Sequence, residues 1–404
     1  MKQIGMILLA SFGLMAICEA VVAAESAVPE PFKGFDESSE FAINYDDLTA
    51  VLKTVVVDMG RSTRREAKES ADVTGSRMKT KVKMTANEGN RFYFETFKGE
   101  EESVEFLRGI QTSLEALPSE APLQYFSRDE QLAYWLNLYN VTVLNEVIAV
   151  YPKSNLKKLV QGKKSIFSKK LLTVAGVPLS LNDIQFTILK NNYDDNPLII
   201  YGLYQGIIGG PNIRKTAYVG NDVWRALTDN ATEFVNSNRG TYAKYAGEFR
   251  TSSLYERNSE YFPDFEADLT EHLSTYLQGS MRDKLASAKK IKTNIDDWSV
   301  NDLTGNRQRV GGSFATSRAA LMDSVKGTTP MDGGGVMGAA VGAGSSSMAA
   351  KGKRISRIEP ELLAILNEIN DKRNSENLQN ATVTIEDDPE DDPVDFAPDA
   401  EPDE

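Results

Sequence analysis

One stretch constrains the fold more than any other. From Arg128 to Val150, Leu132, Trp135, Leu136 and Tyr139 recur at helical spacing. Ser127 followed by Glu130 three residues later is a capping-box pattern at its start. Tyr151-Pro152 ends it, because proline lacks the amide hydrogen that the next helical bond needs. The pattern predicts a helix over 128–150.

Weaker signals flank this helix. Helical periodicity begins at about Phe41, with Leu48, Val51, Leu52 and Val55 at three- and four-residue steps, and a second helix fits Val104 to Leu117. LLTVAGVPLSL, around Gly176, reads as two short strands in a hairpin. Ser180, with Asp183 three residues on, predicts the start of a helix reaching about Asn191. The run LIIYGLY after Pro197 is short, apolar and bounded by Pro and Gly, which predicts a buried strand. Helices are expected from about Asp222 to Asn236 and from Ala267 to Lys290. No repeat of about 20–50 residues occurs. The fold class is α+β: a helix-rich single domain with a small sheet, plus a disordered C-terminal tail.

The two ends differ from this body. Residues 1–24 read as a signal peptide: Lys2, then an apolar stretch from Ile4 to Cys18, then Val22-Ala23-Ala24 before Glu25. The apolar stretch falls short of the ~18–20 residues that span a bilayer. Lipidation of Cys18 is disfavoured because Ile17, not a small residue, precedes it. The expectation is a periplasmic or extracellular protein with no transmembrane span after cleavage. Residues 25–39 form a linker and 40–302 the body. Residues 303–357 are a low-complexity Gly/Ala/Ser linker, 358–373 a short amphipathic helix, and 374–404 an acidic disordered tail. The helix puts Ile358, Leu362, Leu366 and Ile369 on one face, fitting either a docking element for a protein partner or a fold-back onto the body. The net charge is −13, but Ala381 to Glu404 holds 11 acidic residues and no basic ones. The body is therefore nearly neutral, and the acidity belongs to a segment too poor in apolar surface to fold.

The stock of reactive side chains is small. Cys18 is the one cysteine and His272 the one histidine. Disulfide frameworks, Cys/His zinc sites and Cys–His or Ser–His–Asp catalysis all need more. Gly333-x-Gly335-x-x-Gly338 matches the dinucleotide-binding string, but TTPMD precedes it and more Gly, Ala and Ser follow, so the strand and helix that hold a pyrophosphate are missing. No phosphate-binding P-loop string occurs, and neither cofactor nor metal is expected. His272, among polar neighbours in EADLTEHLSTY, reads as an ordinary, partly exposed helix residue.

Lysines cluster between the long helix and the hairpin: Lys153, then Lys157, Lys158, Lys163, Lys164, Lys169 and Lys170, with no acid between Glu146 and Asp183. One reading is a solvated loop. The other makes Lys157, Lys158, Lys163, Lys164, Lys169 and Lys170 a site for an acidic polymer, lipopolysaccharide head groups, another protein's acidic tail or the chain's own tail. Nucleic acid is not expected as a partner, because the protein reads as exported and aromatic interleaving is sparse.

The segment SRDEQLAYWLNLYNVTVLNEVIAVY resembles the domain of unknown function 547 family, whose hallmark "wiNlYN" matches Trp135-Leu136-Asn137-Leu138-Tyr139-Asn140. The likeness runs on through Tyr151-Pro152, VAGVPLSLNDI with Asp183, and Asn196-Pro197, and ends at Asp297-Trp298-Ser299, covering roughly residues 40–302. The resemblance implies an acid–His pair after the hairpin, a His in the buried strand and a following Cys-Pro. Here the matching positions are Gln185 and Phe186, Ile200, and Gly210-Pro211. Phe and Ile transfer no protons and Gly carries no nucleophile. This copy therefore reads as a degenerate member without that constellation.

Two readings of the retained polar residues stand. Asn137, Asn140 and Asp183 bond to nearby backbone and helix ends, or Asn137, Asn140, Asp183, Gln185 and Tyr201 line an inherited cleft that binds a polar envelope ligand. The functional expectation is an exported, non-catalytic ligand- or partner-binding module with no catalytic residue. The alternative is a secreted carboxylate- or metal-dependent hydrolase of cell-envelope polymers, with Glu130 and Asp183 as its carboxylates.

Overall fold

The computed structural model describes residues 27–65, 83–162, 164–243 and 247–303. The leader at 1–24, Lys163, and the linker, amphipathic segment and acidic tail from residue 304 onward lie outside the described residues.

After a 3-10 turn at Glu30–Phe32, α1 (Asp46–Val55) buries Leu48, Val51, Leu52 and Val55, the stripe that the periodicity marks. β1 (Val56–Val57) pairs antiparallel with β2 (Arg91–Phe92). α2 (Glu101–Glu120) packs on α3 (Arg128–Val150), which is buried on nearly every face, as a core helix must be. Ser127 accepts the Glu130 amide hydrogen at 3.3 Å, so half of the capping box forms. The Glu130 side chain does not turn back to Ser127. Its two oxygens accept the amide hydrogens of Ile43 (2.9 Å) and Gly220 (3.1 Å), tying two distant segments to the head of α3. A side chain at Gly220 would collide with Glu130.

The short α4 (Lys157–Gln161) leads into the expected hairpin of β3 (Lys170–Val174) and β4 (Val177–Ser180), which turns through Ala175 and Gly176, both at positive φ. Here the capping box closes both ways: Ser180 Oγ accepts from the Asp183 amide (3.1 Å) and Asp183 Oδ2 from the Ser180 amide (2.6 Å). The expected helix follows, but Asp183–Leu189 is wound as a π-helix before α5 (Lys190–Asn192) continues it.

The apolar run after Pro197 corrects the expectation of a strand. It is a 3-10 helix, Pro197–Gly202, and it is buried. Pro197 presets its first turn, and Asn196 Oδ1 caps it by accepting the Leu198 amide at 2.9 Å. Hydrophobic runs this short do not distinguish a buried strand from a buried helical turn.

α6 (Val223–Val235) matches the expected helix closely. β5 (Thr241–Tyr242), β6 (Glu248–Ser252), α7 (Ser253–Arg257) and α8 (Phe265–Tyr276) follow. The single helix expected from Ala267 to Lys290 is instead two, α8 and α9 (Ser280–Ala286), and Lys290 opens β7 (Lys290–Ile295). The break falls where Leu277 is drawn fully into the core and Gly279 takes φ +57°, a conformation that ends a helix. β6 pairs antiparallel with β5 and parallel with β7.

The architecture is α+β and helix-rich, with three small sheets rather than one among the described residues. A continuous hydrophobic cluster runs from Phe32 to Val300. The closing segment stitches it together: Leu156 donates to Trp298 O (2.8 Å), Ile208 to Ser299 O (2.8 Å), Val300 to Ser154 O (3.0 Å) and Leu303 to Phe92 O (2.9 Å). Among the described residues no helix is long and apolar enough to cross a membrane.

Candidate functional site

The polar residues singled out in the sequence divide into two groups. Asn137 is 2% exposed; its Oδ1 accepts the Tyr218 amide and its Nδ2 donates to Tyr218 O, both at 2.8 Å. Asn140 holds the exit of the 3-10 turn in the same way, accepting from Tyr204 N and donating to Gly202 O at 2.9 Å each. Tyr201 is fully buried, with its hydroxyl between Tyr255 OH (3.1 Å) and His272 Nε2 (2.8 Å). Of these three, Asn137 bonds to the Asn212–Tyr218 segment, while Asn140 and Tyr201 hold the 3-10 turn and its surroundings.

Asp183 and Gln185 sit elsewhere. Asp183 accepts from Lys170 Nζ at 2.5 Å as well as from Ser180, and these donors hold its carboxyl below the usual range against the opposing effect of partial burial. Gln185 donates to Asn258 Oδ1, and its carbonyl accepts from Tyr261 OH at 3.0 Å. The five residues do not converge on one cleft. Of the positions where the family likeness implies reactive groups, Ile200 is buried in the core, Phe186 packs against it beside Tyr261, and Gly210 lends its carbonyl to Arg239. Glu130 and Asp183, the carboxylate pair of the hydrolase alternative, are each engaged in local structure and share no partner.

His272 is a partly exposed residue of a helix, α8, as the sequence suggests, but its contacts in space are aromatic rather than polar. Its ring is half-buried, stacks on Tyr201 at 5.6 Å and 7°, and meets Phe262 and Tyr276. Burial drops its pKa from 6.5 to about 4. The folded state therefore holds the proton less tightly than the unfolded chain. The stability this confers is full above pH 6.5 and is lost as the pH falls toward 4, by about 2 kcal/mol after allowance for the ring's part exposure. As the chain's one histidine, it gives a single imidazole pair in a proton NMR titration; a midpoint near 6.5 would refute the shift.

The cleft with the chemistry to hold a ligand lies on the other side of Asn137 and Tyr201. It encloses about 720 Å³ between Asp58–Ser62, the Asn212–Thr216 loop and the Asp229–Asn236 face of α6. Its walls are amides, hydroxyls and charges, with no aromatic ring among them. The loop wall is held from behind by several bonds. Asn230 Nδ2 donates to Asn212 O (3.3 Å), Tyr218 OH (3.1 Å) and Tyr201 O (3.1 Å); Asn90 Nδ2 donates to Ile213 O (2.8 Å); Arg214 donates to Ala226 O (3.1 Å).

At the base of the cleft Glu233 Oε2 accepts from Arg239 Nη2 and from Asn212 Nδ2 (2.7 Å). Arg239, 1% exposed, also donates to Gly210 O (3.0 Å) and Ser237 Oγ (3.2 Å). Burial pushes the Glu233 carboxyl up; Arg239 opposes this, while Glu88 and Asp58 add to it. The sequence reading missed Asn212, Asn230, Glu233 and Arg239. Asp229, Glu233 and Asn236 share one face of a helix, but such a spacing usually marks a solvated face.

Of the lysine cluster, Lys157, Lys158, Lys164, Lys169 and Lys170 are all exposed. Lys170 pairs with Asp183, and Lys157 lies 5.7 Å over the Trp298 ring.

Residues 123–235, from the turn before α3 through α6, match the family model described as protein of unknown function, DUF547. The match is narrower than the likeness traced from about 40 to 302. No curated protein and no solved structure matches the chain.

Proposed function

We propose that the protein is an exported, non-catalytic binding module of this family, and that its cleft takes a small polar ligand from the cell envelope, a saccharide or peptide fragment rich in hydroxyls and amides. Export is read from the leader sequence. The observation that carries the ligand reading is a cleft of about 720 Å³ lined almost wholly by polar and charged residues, beside a loop fixed by buried amides. Fixed donors and acceptors suit a ligand that must be recognised by its hydroxyls and amides, because little ordering cost remains at binding. The exposed lysines of the α3–β4 connection suit an acidic polymer as partner.

The test is a thermal-melting screen of the full chain against disaccharide–peptide fragments of peptidoglycan. A ligand at one hundred times its Kd stabilises the folded state by about 2.7 kcal/mol. The rim variants Lys215→Ala and Asp229→Ala are expected to weaken binding about tenfold each while leaving the unliganded midpoint within about 1 °C, since exposed rim charges contribute little to folding. If a fragment binds and both variants bind it equally well, the cleft is not the site. If none of the fragments binds, the ligand class is wrong.

A second reading, a carboxylate hydrolase, draws on Glu233, whose burial-raised carboxyl at the base of a cleft is a general-acid arrangement. Turnover of the same fragments, abolished by Glu233→Gln, would establish it; binding without turnover supports the module.

A further inference from the structure

We propose that the acidic C-terminal segment, Glu386 to Glu404, docks on the lysines of the α3–β4 connection and competes with external polyanions for them. This deepens the lysine-face part of the proposed function and does not depend on what the cleft binds.

The charges on the face are uncompensated. Lys153, Lys157, Lys158, Lys164 and Lys169 are exposed and have no carboxylate partner among the described residues, while Lys170 has Asp183. Five unpaired ammonium groups close along the chain on a nearly neutral body form a local field that draws negative charge from within about one Debye length, ~8 Å at physiological salt. The complementary charge is in the same molecule: all 11 acidic residues after Ala381 lie from Glu386 onward, with no base among them.

The path of the chain brings the two together. The described body ends at Leu303, and the residues just before it run beside the base of the lysine segment. Val300 donates to Ser154 O (3.0 Å), Leu156 to Trp298 O (2.8 Å), and Lys157 lies over the Trp298 ring. From Val300, three residues of extended chain reach at most about 10 Å, so Leu303, bonded to Phe92 O, lies within that distance plus one hydrogen bond of the Ser154 end of the lysine segment. About 80 residues then separate Leu303 from Glu386, much of them Gly, Ala and Ser. For a random coil of that length the root-mean-square span would be about 50 Å. Such a coil would hold its end near its origin at an effective concentration on the order of 1 mM. A contact with an intrinsic Kd of about 0.1 mM would then be occupied roughly ten to one. Such docking needs no folded motif in the tail, only charge, so it is expected to dissolve in high salt.

The test uses the full chain in three forms: wild type, a form with every Asp and Glu from 386 to 404 changed to Asn or Gln, and Lys157→Gln/Lys158→Gln/Lys164→Gln/Lys169→Gln. Heparin is the external polyanion. The tail-neutral form is expected to bind heparin at least tenfold more tightly than wild type at physiological salt, and the lysine variant to lose both heparin binding and that difference. Carbodiimide cross-linking of an equal mixture of light and isotope-labelled wild-type chains should join carboxylates of 386–404 to Lys153–Lys170 within one chain, and 0.5 M salt should abolish the cross-links. Equal heparin affinity of wild type and the tail-neutral form overturns the proposal. So do cross-links that join light to heavy chains, which would assign the face to the tail of a second copy. Both arms read lysine chemistry without any cleft ligand, so they stand or fall separately from the cleft reading.

Discussion

Arg239→Met is expected to destabilise the body by about 3–5 kcal/mol, the cost of leaving one member of a buried ion pair without the other. Arg239 is the second-largest fully buried side chain after Trp135, and its guanidinium binds Glu233, the Gly210 carbonyl and Ser237. Methionine fills much of the space but donates no hydrogen bond. The Gly210 carbonyl loses its partner, and Glu233 keeps only Asn212. The packing is too close to be refilled from the neighbouring chain, because a side chain at Gly89 would already collide with the guanidinium. For a body of this size about 2–4 °C of melting temperature accompanies each kcal/mol, so the midpoint should fall by roughly 10 °C. The double variant Arg239→Met/Glu233→Met removes both charges and should recover most of the loss, since an apolar pair often replaces a buried ion pair at little net cost. Urea unfolding of the single and double variants decides it: if both lose the same stability, the charge of Glu233 is not what Arg239 compensates.

The same pair shows why the cleft was not legible in the sequence although much of the fold was. The limits of α3 could be read because three local signals agree: the Ser127 cap, the helical period and the Pro152 stop. The hairpin could be read from Gly176, which takes the positive φ that its turn requires. Two segments were misread where a tertiary bond decided the local form. Asn140 fixes the exit of the 3-10 turn at Gly202 from 62 residues away, and Leu277 interrupts a helical pattern by entering the core. The cleft depends on such bonds throughout. Asn90, Asn212 and Glu233 meet from the residue before β2, a loop and α6, and nothing in the spacing of a polar helix face says which of its charges will be covered. The surroundings of His272 were hidden for the same reason: its polar neighbours in sequence are not its neighbours in space, which are Tyr201, Phe262 and Tyr276. The positions expected to be reactive were identifiable because they depend on residue identity alone. A Gly or an Ile lacks proton-transfer chemistry in any fold.

Asn137→Leu separates the two readings of the "wiNlYN" asparagines. The side chain is nearly isosteric, so packing on α3 is kept while the hydrogen bonds are lost. Both groups that Asn137 satisfies belong to one residue, the amide and the carbonyl of Tyr218, in an interior that admits almost no water. Leaving each without a partner costs about 1–3 kcal/mol, so the variant is expected to lose about 2–5 kcal/mol in urea unfolding. Tyr218 ends the loop that forms one wall of the cleft, and Asn230 holds the same loop through the Tyr218 hydroxyl. The loop should therefore loosen at its Tyr218 end first, and faster hydrogen exchange at residues 212–218 is the local signature to look for. A direct ligand role predicts the reverse: unchanged unfolding and exchange, with binding lost. Because the amide has its bonds to Tyr218 whether or not the cleft is occupied, the effect on any cleft ligand should follow from the loosened wall. Lowering the temperature, which recloses such a wall, should restore binding to the variant more than it changes binding to the wild type.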